Sequence, residues 1–307
     1  MLIIFPAEPF QPKHVDPDYA RECDAARAAG FETAFLDFEA LLDGDTDRAV
    51  RRVPESANTS ALYRGWMLRP ETYSLLFGSL AERGVRLITD PDAYRRTHFL
   101  PGWYETMCAV TPSSVWTTQA HPSRSELETL LEGFGDRPII IKDFVKSRKH
   151  EWNEAFYIPS AADTGHALQV TQTFVQRQGE DLAGGLVYRE YIPLATVGVH
   201  PRSGIPLSRE YRAFIGSGKL LLSTDYWDEG SYVGDVPPIE GFLPLVAGLS
   251  PFLSMDVALA ADGRWIVVEV GDGQVSGLAE KADAGQFFVA LAGAFVGTDK
   301  LCPYSKP

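Results

Sequence analysis

Two β-rich runs near the C-terminal end of the chain bring an aspartate and a glutamate together. The segment FLSMDVALAADGRWIVVEVGDG, residues 252–273, is interrupted by Asp262-Gly263, a dipeptide typical of two-residue hairpin turns. Counting the same number of residues outward from each turn residue places Asp256 directly opposite Glu269. The segment therefore predicts an antiparallel hairpin that carries a pair of opposed carboxylates.

The strand period of two sorts the other side chains of this hairpin onto two faces. The predicted core face is entirely apolar and consists of Leu253, Met255, Val257, Leu259, Ile266, Val268 and Val270. The predicted face of the two carboxylates also carries Ser254, Ala258, Val267 and Gly271. The hairpin therefore has one face for a core and one for a site.

Opposed carboxylates destabilise a sheet unless something neutralises them. At about 5 Å and an effective dielectric constant near 20, the repulsion is about 3 kcal/mol. We therefore expect a divalent cation at Asp256 and Glu269, and the hard carboxylate oxygens favour Mg²⁺. Removing one carboxylate is then expected to leave the metal-free protein as stable as before, or slightly more stable. The alternative is a solvated hairpin face with two unrelated acids.

The composition limits the classes of protein that the chain can belong to. Its 307 residues suffice for two domains or for one domain with an inserted lobe, and 45% of them are hydrophobic. No apolar run approaches the length of about 20 residues that a membrane span needs. A net charge of −13 argues against a general nucleic-acid or acidic-membrane surface. Cys23, Cys108 and Cys302 show no metal-ligand spacing, so we expect a cytoplasmic protein without disulfides.

One basic segment contrasts with this acidic background. The run IIIKDFVKSRKHEW begins as a short buried strand that ends at Lys142, and it continues with Lys146, Arg148 and Lys149 in a loop. An isolated charge run of this kind is usually a solvated face. Because this one follows a buried strand in an anionic chain, it indicates a pocket for a polyanion such as a nucleoside triphosphate.

The patterning predicts an α/β chain. The first third alternates strand and helix, which indicates a three-layer unit with a largely parallel sheet. Its predicted strands are 2–5, 32–37, 61–67 and 85–89, and its predicted helices are 17–29 and 71–83. The rest of the chain is richer in strands and closes with a helix. Its main predicted elements are strands 114–118, 138–142, 155–158 and 186–192, helices 123–133, 163–178 and 280–294, and a hairpin about residues 216–218.

With these elements in order, the second two-thirds of the chain resembles the ATP-grasp fold. The motifs that carry the resemblance are IIIKD, VYREYIP, REYRAF and the Asp-then-Glu hairpin. The segments YRGWM, KDFVKSRKHEW and VEVGDGQVSGL resemble the clade of the superfamily that is named for two arginines and a lysine. The resemblance implies an α/β (α+β) architecture of three parts: an N-terminal three-layer domain (1–110), a central lobe (111–192) and a C-terminal lobe (193–307). The two lobes would hold ATP between them.

The resemblance also implies a role for individual residues in binding ATP. Lys142 would contact the α- and β-phosphates, and Arg95 or Arg96 would occupy an earlier basic position. The hinge that meets the adenine edge corresponds to Glu190, Tyr191 and Ile192. For Glu190, an ion pair with Arg189 or Arg209 is the structural alternative.

The implied chemistry centres on the acidic hairpin. Asp256 and Glu269 match the magnesium ligands, and Arg212 matches an arginine near the γ-phosphate, with an ion pair to Glu210 as its alternative role. An asparagine commonly follows the glutamate by two positions, whereas this chain has Gly271 there. Asp272 or Gln274 would have to supply the missing ligand.

Four further assignments complete the candidate site, and the first two follow from the resemblance. The loop that covers the phosphates is basic rather than glycine-rich, so we expect its side chains to do with charge what backbone amides do elsewhere, with Lys146 as a candidate catalytic residue. No acid closely follows the hinge to hold the ribose, which leaves Glu210 as a distant candidate. Arg64, at the end of a strand of the first domain, is a candidate for gripping the substrate carboxylate, and a structural arginine against Trp66 is the alternative. Residues 231–235, with Trp227 before them, are a candidate for the acceptor pocket.

The resulting hypothesis is an ATP- and Mg²⁺-dependent carboxylate–amine ligase that forms an acyl phosphate. Its partners would be small-molecule or peptide carboxylates and amines, with no nucleic acid and no membrane. A phosphotransferase of the same fold, or a nucleotide-binding regulatory module without turnover, are the alternatives. The six histidines show no metal spacing and are expected at the surface or in loops, with His150 an exception because it lies in the basic segment.

Overall fold

The computed structural model describes residues 1–202, 204–234 and 236–296. Its strands are β1 (Leu2–Pro6), β2 (Glu32–Leu36), β3 (Thr59–Tyr63), β4 (Val85–Leu87), β5 (Ser114–Thr117), β6 (Ile139–Asp143), β7 (Tyr157–Ile158), β8 (Leu186–Glu190), β9 (Thr196–Val199), β10 (Pro206–Ser208), β11 (Glu210–Gly216), β12 (Lys219–Asp225), β13 (Phe252–Leu259) and β14 (Trp265–Asp272). Its α-helices are α1 (Ala20–Ala28), α2 (Phe38–Leu42), α3 (Thr46–Val50), α4 (Pro70–Glu82), α5 (Pro91–His98), α6 (Leu100–Met107), α7 (Arg124–Leu131), α8 (Trp152–Ala155), α9 (Thr164–Gln178), α10 (Ile239–Val246) and α11 (Ala284–Phe295).

The first four strands form a parallel sheet in the order β2-β1-β3-β4. Every residue of β1 is buried, as expected for a strand covered on both faces of a parallel sheet. The helices α1 and α4 lie between the strands and end near Gly30 and Gly84, which have φ of 87° and 73°. The predicted alternation of strand and helix is confirmed.

Two antiparallel sheets follow the parallel one. The second sheet has the order β5-β8-β6-β7 and the third has the order β12-β11-β13-β14. Helix α7 begins with the capping box of Ser123 and Glu126. The strands of the three sheets fall within the three predicted parts of the chain, whose bounds at 110/111 and 192/193 stay predictions.

The N-terminal sheet and the third sheet share one apolar core. Ile3 and Phe5 of β1 lie in a cluster with Phe214 of β11 and Phe252 of β13. Helix α11 completes this cluster, and its Phe287 packs edge-on against Phe214 with ring centroids 5.0 Å apart. This shared core fixes the acidic hairpin relative to the first domain.

Patterning missed several elements. Helices α2 and α3 have five residues each, too few to show a helical period. Helix α10 contains Pro244, which reads as a helix breaker in sequence. Strands β9 and β10 form a separate two-stranded sheet with a register irregularity.

The turn of the acidic hairpin is one residue longer than predicted. Gly263 donates its backbone N–H to the carbonyl of Ala260 at 2.9 Å, and Ala260 donates to the carbonyl of Arg264 at 2.8 Å. The loop therefore runs from Ala261 to Gly263, whose φ of 90° lies in the left-handed region. A loop that ends in such a residue is the usual three-residue hairpin connection, and it shifts the pairing near the turn by one residue.

No helix within the described residues is long and apolar enough to cross a membrane. Cys23 is buried and Cys108 is exposed, and both are free thiols. Cys302 and the predicted C-terminal bound at residue 307 lie outside the described residues, as does Asp235 of the predicted acceptor loop.

Candidate functional site

Asp256 of β13 and Glu269 of β14 are paired across the hairpin, as predicted. A β-bulge makes this possible, because Val257 pairs with Val267 while its neighbour Asp256 pairs with Glu269. The extra residue, Val268, compensates for the longer turn. The predicted faces were wrong at this point: Val267 is fully buried in the apolar core, and Val268 is not part of that core.

Lys142 neutralises one of the two acids. Its ammonium group lies 2.8 Å from Oε1 of Glu269. Lys142 lies on strand β6 of the second sheet, and only 6% of the residue is exposed. Burial raises the pKa of Glu269, but the charges of Lys142, Arg189 and Arg212 outweigh burial and lower it below its ordinary value. Glu269 is therefore ionised and paired.

Arg212 neutralises the other acid with two hydrogen bonds. Its Nε and Nη2 donate to the two oxygens of Asp256 at 2.8 and 2.7 Å, so the predicted alternative of an ion pair with Glu210 is wrong. Burial raises the pKa of Asp256, and the Arg212 contact opposes that rise. We take Asp256 as ionised, since a two-bond guanidinium contact favours the carboxylate.

Glu210 lies beside this pair. It is two residues from Arg212 on β11 and pairs with Ala258, two residues from Asp256 on β13. Burial and the charge of Asp256 raise the pKa of Glu210 to about 7, although Ser208 donates a hydrogen bond to it at 2.8 Å. Glu210 therefore belongs to the acidic cluster, and its predicted contact with ribose stays a prediction.

The basic loop is shaped by a buried carboxylate instead of glycines. Asp143 is fully buried and accepts hydrogen bonds from the backbone N–H groups of Val145 and Lys146. It also accepts one from the Nε2 of Gln178 at 2.9 Å. The side chain of Lys146 is exposed, so it is available to a ligand.

Two other cations of the loop have partners. Arg148 donates to Glu151 and to the carbonyl of Arg177, so it holds the loop to α9. The ammonium of Lys149 lies 4.8 Å from the ring centre of Trp227 and 5.9 Å from that of Tyr226. Lys149 therefore connects the basic loop to the two aromatic residues that follow β12.

The predicted hinge follows β8. Glu190 pairs with Arg137 at 3.1 Å, rather than with Arg189 or Arg209 as the structural alternative proposed. The backbone N–H of Tyr191 donates to the carbonyl of Pro138 at 3.0 Å. This engages the amide of Tyr191 within the protein, and the contact of the hinge with adenine, including Ile192, stays a prediction.

An aromatic cluster adjoins the hinge and was not predicted. Trp152 stacks on Tyr157 with ring centroids 5.1 Å apart, and Tyr191 meets both rings edge-on. Trp152 is 39% exposed. The tryptophan directly after the basic run was the sequence signal.

The two candidate arginines of α5 have different surroundings. Arg95 lies over the ring of Phe99 at 5.7 Å, and Phe99 packs edge-on against Phe144, which follows β6. Arg96 donates to the carbonyls of Gly248 and Leu249. Arg95 therefore contacts a ring that packs against the residue after β6, and a contact of either arginine with ATP stays a prediction.

Arg64 is a structural residue, and its predicted role in gripping a substrate is wrong. It is 1% exposed and makes two hydrogen bonds to Glu22 of α1, at 2.6 and 2.9 Å. Its Nη1 donates to the carbonyls of Gly273, Gln274 and Ser276. The structural alternative was correct in kind, but the partners are Glu22 and the segment after β14 instead of Trp66.

Asp272 and Gln274 do not join the acidic pair, so the prediction of a third metal ligand here was wrong. Gln274 donates to Asp272 and Tyr73 and accepts from the backbone N–H of Tyr63. Both residues are nearly fully buried in the contact with the first domain. Among the residues that the structure describes, no three His, Cys, Asp or Glu side chains form a metal site.

The burial of Asp272 has a measurable consequence for stability. Burial raises the pKa of its carboxyl to about 7, against the hydrogen bonds from Gln274, whereas the unfolded value is about 3.9. The unfolded state therefore releases this proton first, and the free energy of unfolding falls as pH rises from about 4 to about 7. We expect Asp272→Asn, compared with wild type, to gain at least about 1 kcal/mol between pH 5 and pH 8.

Urea unfolding of both proteins at the two pH values checks this expectation. A difference between variant and wild type that is the same at pH 5 and pH 8 would contradict it.

Two buried residues near the acidic pair were missed. His98 of α5 is 8% exposed and stacks on Tyr94, so its predicted surface or loop position was wrong. Burial lowers its pKa to about 4; the charge of Glu269 opposes this shift, and those of Lys146 and Lys142 add to it. His98 therefore borders the charged cluster as a neutral imidazole.

Arg189 of β8 is the second buried residue that was missed. It is 4% exposed and donates to the carbonyls of Val267 and Val268 and to the hydroxyl of Thr111. The sequence signal was a charged residue, Arg189, directly after the apolar residues of β8. That signal did not identify its hydrogen-bond partners.

A cavity of 320 Å³ adjoins the acidic pair on the C-terminal lobe. Arg212 lines it, together with Tyr226 and Trp227. Of the predicted acceptor segment only Trp227 is among the lining residues, and residues 231–234 are not. Arg212 also donates to the carbonyl of Gly277 in the opposite wall, at 3.3 Å. A ligand at the inner end of the cavity would lie next to the arginine that holds Asp256.

The residues at the pair fit Mg²⁺ that is bound together with nucleotide. Asp256 and Glu269 supply two hard carboxylate groups, and the Glu269 side chain is 39% exposed. A Cβ at Gly271 would lie 2.9 Å from the hydroxyl of Ser254, so a side chain at this position would displace that hydroxyl. Mg²⁺ often takes one or two carboxylates and completes its shell with phosphate oxygens and water.

Comparison with known families and structures is consistent with this geometry. Residues 133–291 match the family model of an ATP-grasp domain, family 3 of the clade named for two arginines and a lysine, and the match covers more than half of the 307 residues. Among curated proteins, no sequence matches the chain.

Several solved structures have the same overall architecture at low sequence identity. An ATP-grasp RimK domain protein from Sphaerobacter thermophilus DSM 20745 is 13% identical, with a TM-score of 0.58 over 95% of this chain and 98% of that chain. D-cycloserine synthetase DcsG is 16% identical, with a TM-score of 0.59 over 96% of this chain and 99% of that chain. The ATP-grasp ligase PsnB, complexed with minimal precursor, Mg and ADP, is 13% identical, with a TM-score of 0.55 over 95% and 97%. The predicted fold is thereby confirmed.

Proposed function

This chain belongs to family 3 of the two-arginine, one-lysine clade of ATP-grasp domains, and we propose that it is an ATP- and Mg²⁺-dependent carboxylate–amine ligase. ATP would phosphorylate a carboxylate to an acyl phosphate, and an amine would displace the phosphate to form an amide. The products would be ADP, phosphate and the amide. One observation carries the proposal: Lys142 and Arg212, which come from two lobes, pair with Glu269 and Asp256 respectively.

The arrangement supplies what phosphoryl transfer requires. Such reactions depend on positioning and on neutralising the charge of the phosphates. Lys142 lies at the end of a buried strand, and Lys146 is exposed on the loop that follows. We propose that Lys142 holds the α- and β-phosphates and that Lys146 reaches the transferred phosphate.

Asp256 and Glu269 are the proposed ligands of Mg²⁺, which when bound would neutralise phosphate charge. In the structure, Lys142 and Arg212 each pair with one of these acids. Each of these two cations lies within hydrogen-bond distance of a proposed Mg²⁺ ligand. We therefore propose that both would contact phosphate oxygens once the nucleotide is bound.

The cavity beside Arg212 is the proposed site of the carboxylate substrate. The guanidinium of Arg212 lines the cavity and also contacts Asp256. An acid bound in the cavity would therefore lie beside the proposed phosphoryl-transfer centre. A volume of 320 Å³ is near the lower end for small-molecule sites. This size favours a small acid or the end of a peptide, and PsnB was solved with a minimal precursor.

Trapping of the acyl phosphate tests this proposal. The protein is incubated with Mg·ATP, a panel of amino acids and small carboxylic acids, and hydroxylamine as the amine. We expect ADP and the hydroxamate of the preferred acid to form in equal amounts.

The products distinguish the alternatives. AMP and pyrophosphate would contradict the acyl-phosphate mechanism. A stable phosphorylated product without any amine would identify a phosphotransferase, and nucleotide binding without turnover on the whole panel would favour a regulatory module.

A further inference from the structure

The position of Glu269 depends on the β-bulge beside it. Near the turn, Val257 faces Val267; without the extra residue, the same register would place Asp256 opposite Val268 and Glu269 opposite Met255. A slip of one residue turns every side chain to the other face of a sheet. Met255 belongs to the apolar core, so Glu269 would then point away from the site.

The two carbonyls at the bulge are held by one guanidinium group from another lobe. Nη1 of Arg189 donates to the carbonyl of Val268 at 2.7 Å, and Nη2 donates to that of Val267 at 3.3 Å. The Thr111 hydroxyl donates to the Val267 carbonyl at 2.7 Å and lies 2.6 Å from Nη2. The bulge is therefore fastened to β8 and to the segment before β5.

This guanidinium is costly to bury. Arg189 is 4% exposed, no carboxylate among the described residues lies within ion-pair distance of it, and its Nε–H has no acceptor there. Burial lowers the pKa of Arg189 to about 10, and Glu269 is the first of the charges that oppose this shift. An apolar side chain often costs less than a buried charge, so the fold alone does not require an arginine here.

Arg189 also directly precedes the proposed hinge. The next residues along the chain are Glu190, Tyr191 and Ile192. One side chain therefore connects the strand that leads into the proposed adenine site with the strand that carries the proposed metal ligand.

We propose that Arg189 is the positioning residue of Glu269: it holds the bulge that presents this carboxylate to Mg²⁺ while the hinge holds the nucleotide. The inference rests on the proposed function. The proposed role of Arg189 includes no contact with the substrate or the metal. It acts through the carbonyls of Val267 and Val268. Partners that orient metal ligands typically contribute about 10- to 100-fold to metal affinity.

The test is the Mg²⁺ concentration that gives half of the melting-temperature rise produced by AMPPNP, a nucleotide that is not hydrolysed. We expect Arg189→Met to raise this concentration about 10- to 100-fold. Arg189→Lys, which can reach one carbonyl, is expected to show a smaller rise. Thr111→Val removes the other donor to Val267 and is expected to change the value in the same direction, and it serves as a second variant if Arg189→Met does not fold.

Arg64→Lys is the matched control. Arg64 is the other buried arginine that holds backbone carbonyls of the same lobe, but it holds those after β14. It is expected to lower the melting temperature without changing the Mg²⁺ requirement. An unchanged Mg²⁺ requirement in the Arg189 and Thr111 variants would overturn the proposal, as would an equal change in Arg64→Lys. A wild-type protein that shows no Mg²⁺-dependent rise at all would overturn the proposed function itself.

Discussion

Glu269→Gln is expected to lower ATP turnover by on the order of 10²- to 10³-fold, because it removes one charge of a proposed metal ligand and keeps the shape. Its effect on stability is opposite in sign to the expectation from sequence. Lys142 is 6% exposed and pairs with Glu269, so the variant leaves a buried ammonium without its partner. We expect the metal-free variant to lose about 1–3 kcal/mol of unfolding free energy.

A double variant separates the two effects. Lys142→Met combined with Glu269→Gln removes both charges, so it is expected to recover part of the stability and none of the turnover. Urea unfolding of wild type, Glu269→Gln, Lys142→Met and the double variant gives the interaction energy of the pair, and an ADP assay on the same proteins measures turnover. A single Glu269→Gln variant that is more stable than wild type would show that the Lys142 contact contributes nothing.

Arg64→Met is expected to have the largest effect on stability, a loss of about 3–5 kcal/mol, because it breaks a buried ion pair and leaves Glu22 charged and unpaired. The substitution also leaves the carbonyls of Gly273 and Ser276 without the hydrogen bonds that Arg64 donates. These contacts join the first domain to the segment after β14. The KM for the carboxylate is expected to stay unchanged, since Arg64 is buried away from solvent.

The companion variant Glu22→Gln/Arg64→Met tests the cause of this loss. It leaves no unpaired charge, so it is expected to be more stable than Arg64→Met alone. A large rise in KM with little loss of stability would restore the role in substrate binding that the sequence suggested.

Much of the fold followed from periodicity and turn residues. The parallel sheet was predicted because the short strands β1 to β4 alternate with helices, of which α1 and α4 end near Gly30 and Gly84. The Asp256–Glu269 pairing was also predicted, although two errors cancelled: the turn has one residue more, and the bulge at Val268 restores the register. Local sequence carries no signal for such a bulge, because the donors that hold it come from distant segments.

The candidate site was predicted less completely than the fold, for a physical reason. The carboxylates and Lys142 were found because they lie on strands with clear patterns. The pairing of the two carboxylates with Lys142 and Arg212 depends on how two lobes meet. Sequence spacing does not encode that contact. Arg64 was assigned to a substrate because a charged residue at a strand end resembles a site; its buried partner, Glu22, lies 42 residues away.

Differential scanning fluorimetry with AMPPNP shows whether the opposed acids bind nucleotide through Mg²⁺. Because AMPPNP and Mg²⁺ would bind only the folded protein, they are expected to raise the melting temperature of wild type. In Glu269→Gln most of that rise should disappear. In Glu240→Gln, the same change at an exposed residue of α10, the rise should be retained. An undiminished rise in Glu269→Gln would contradict the account.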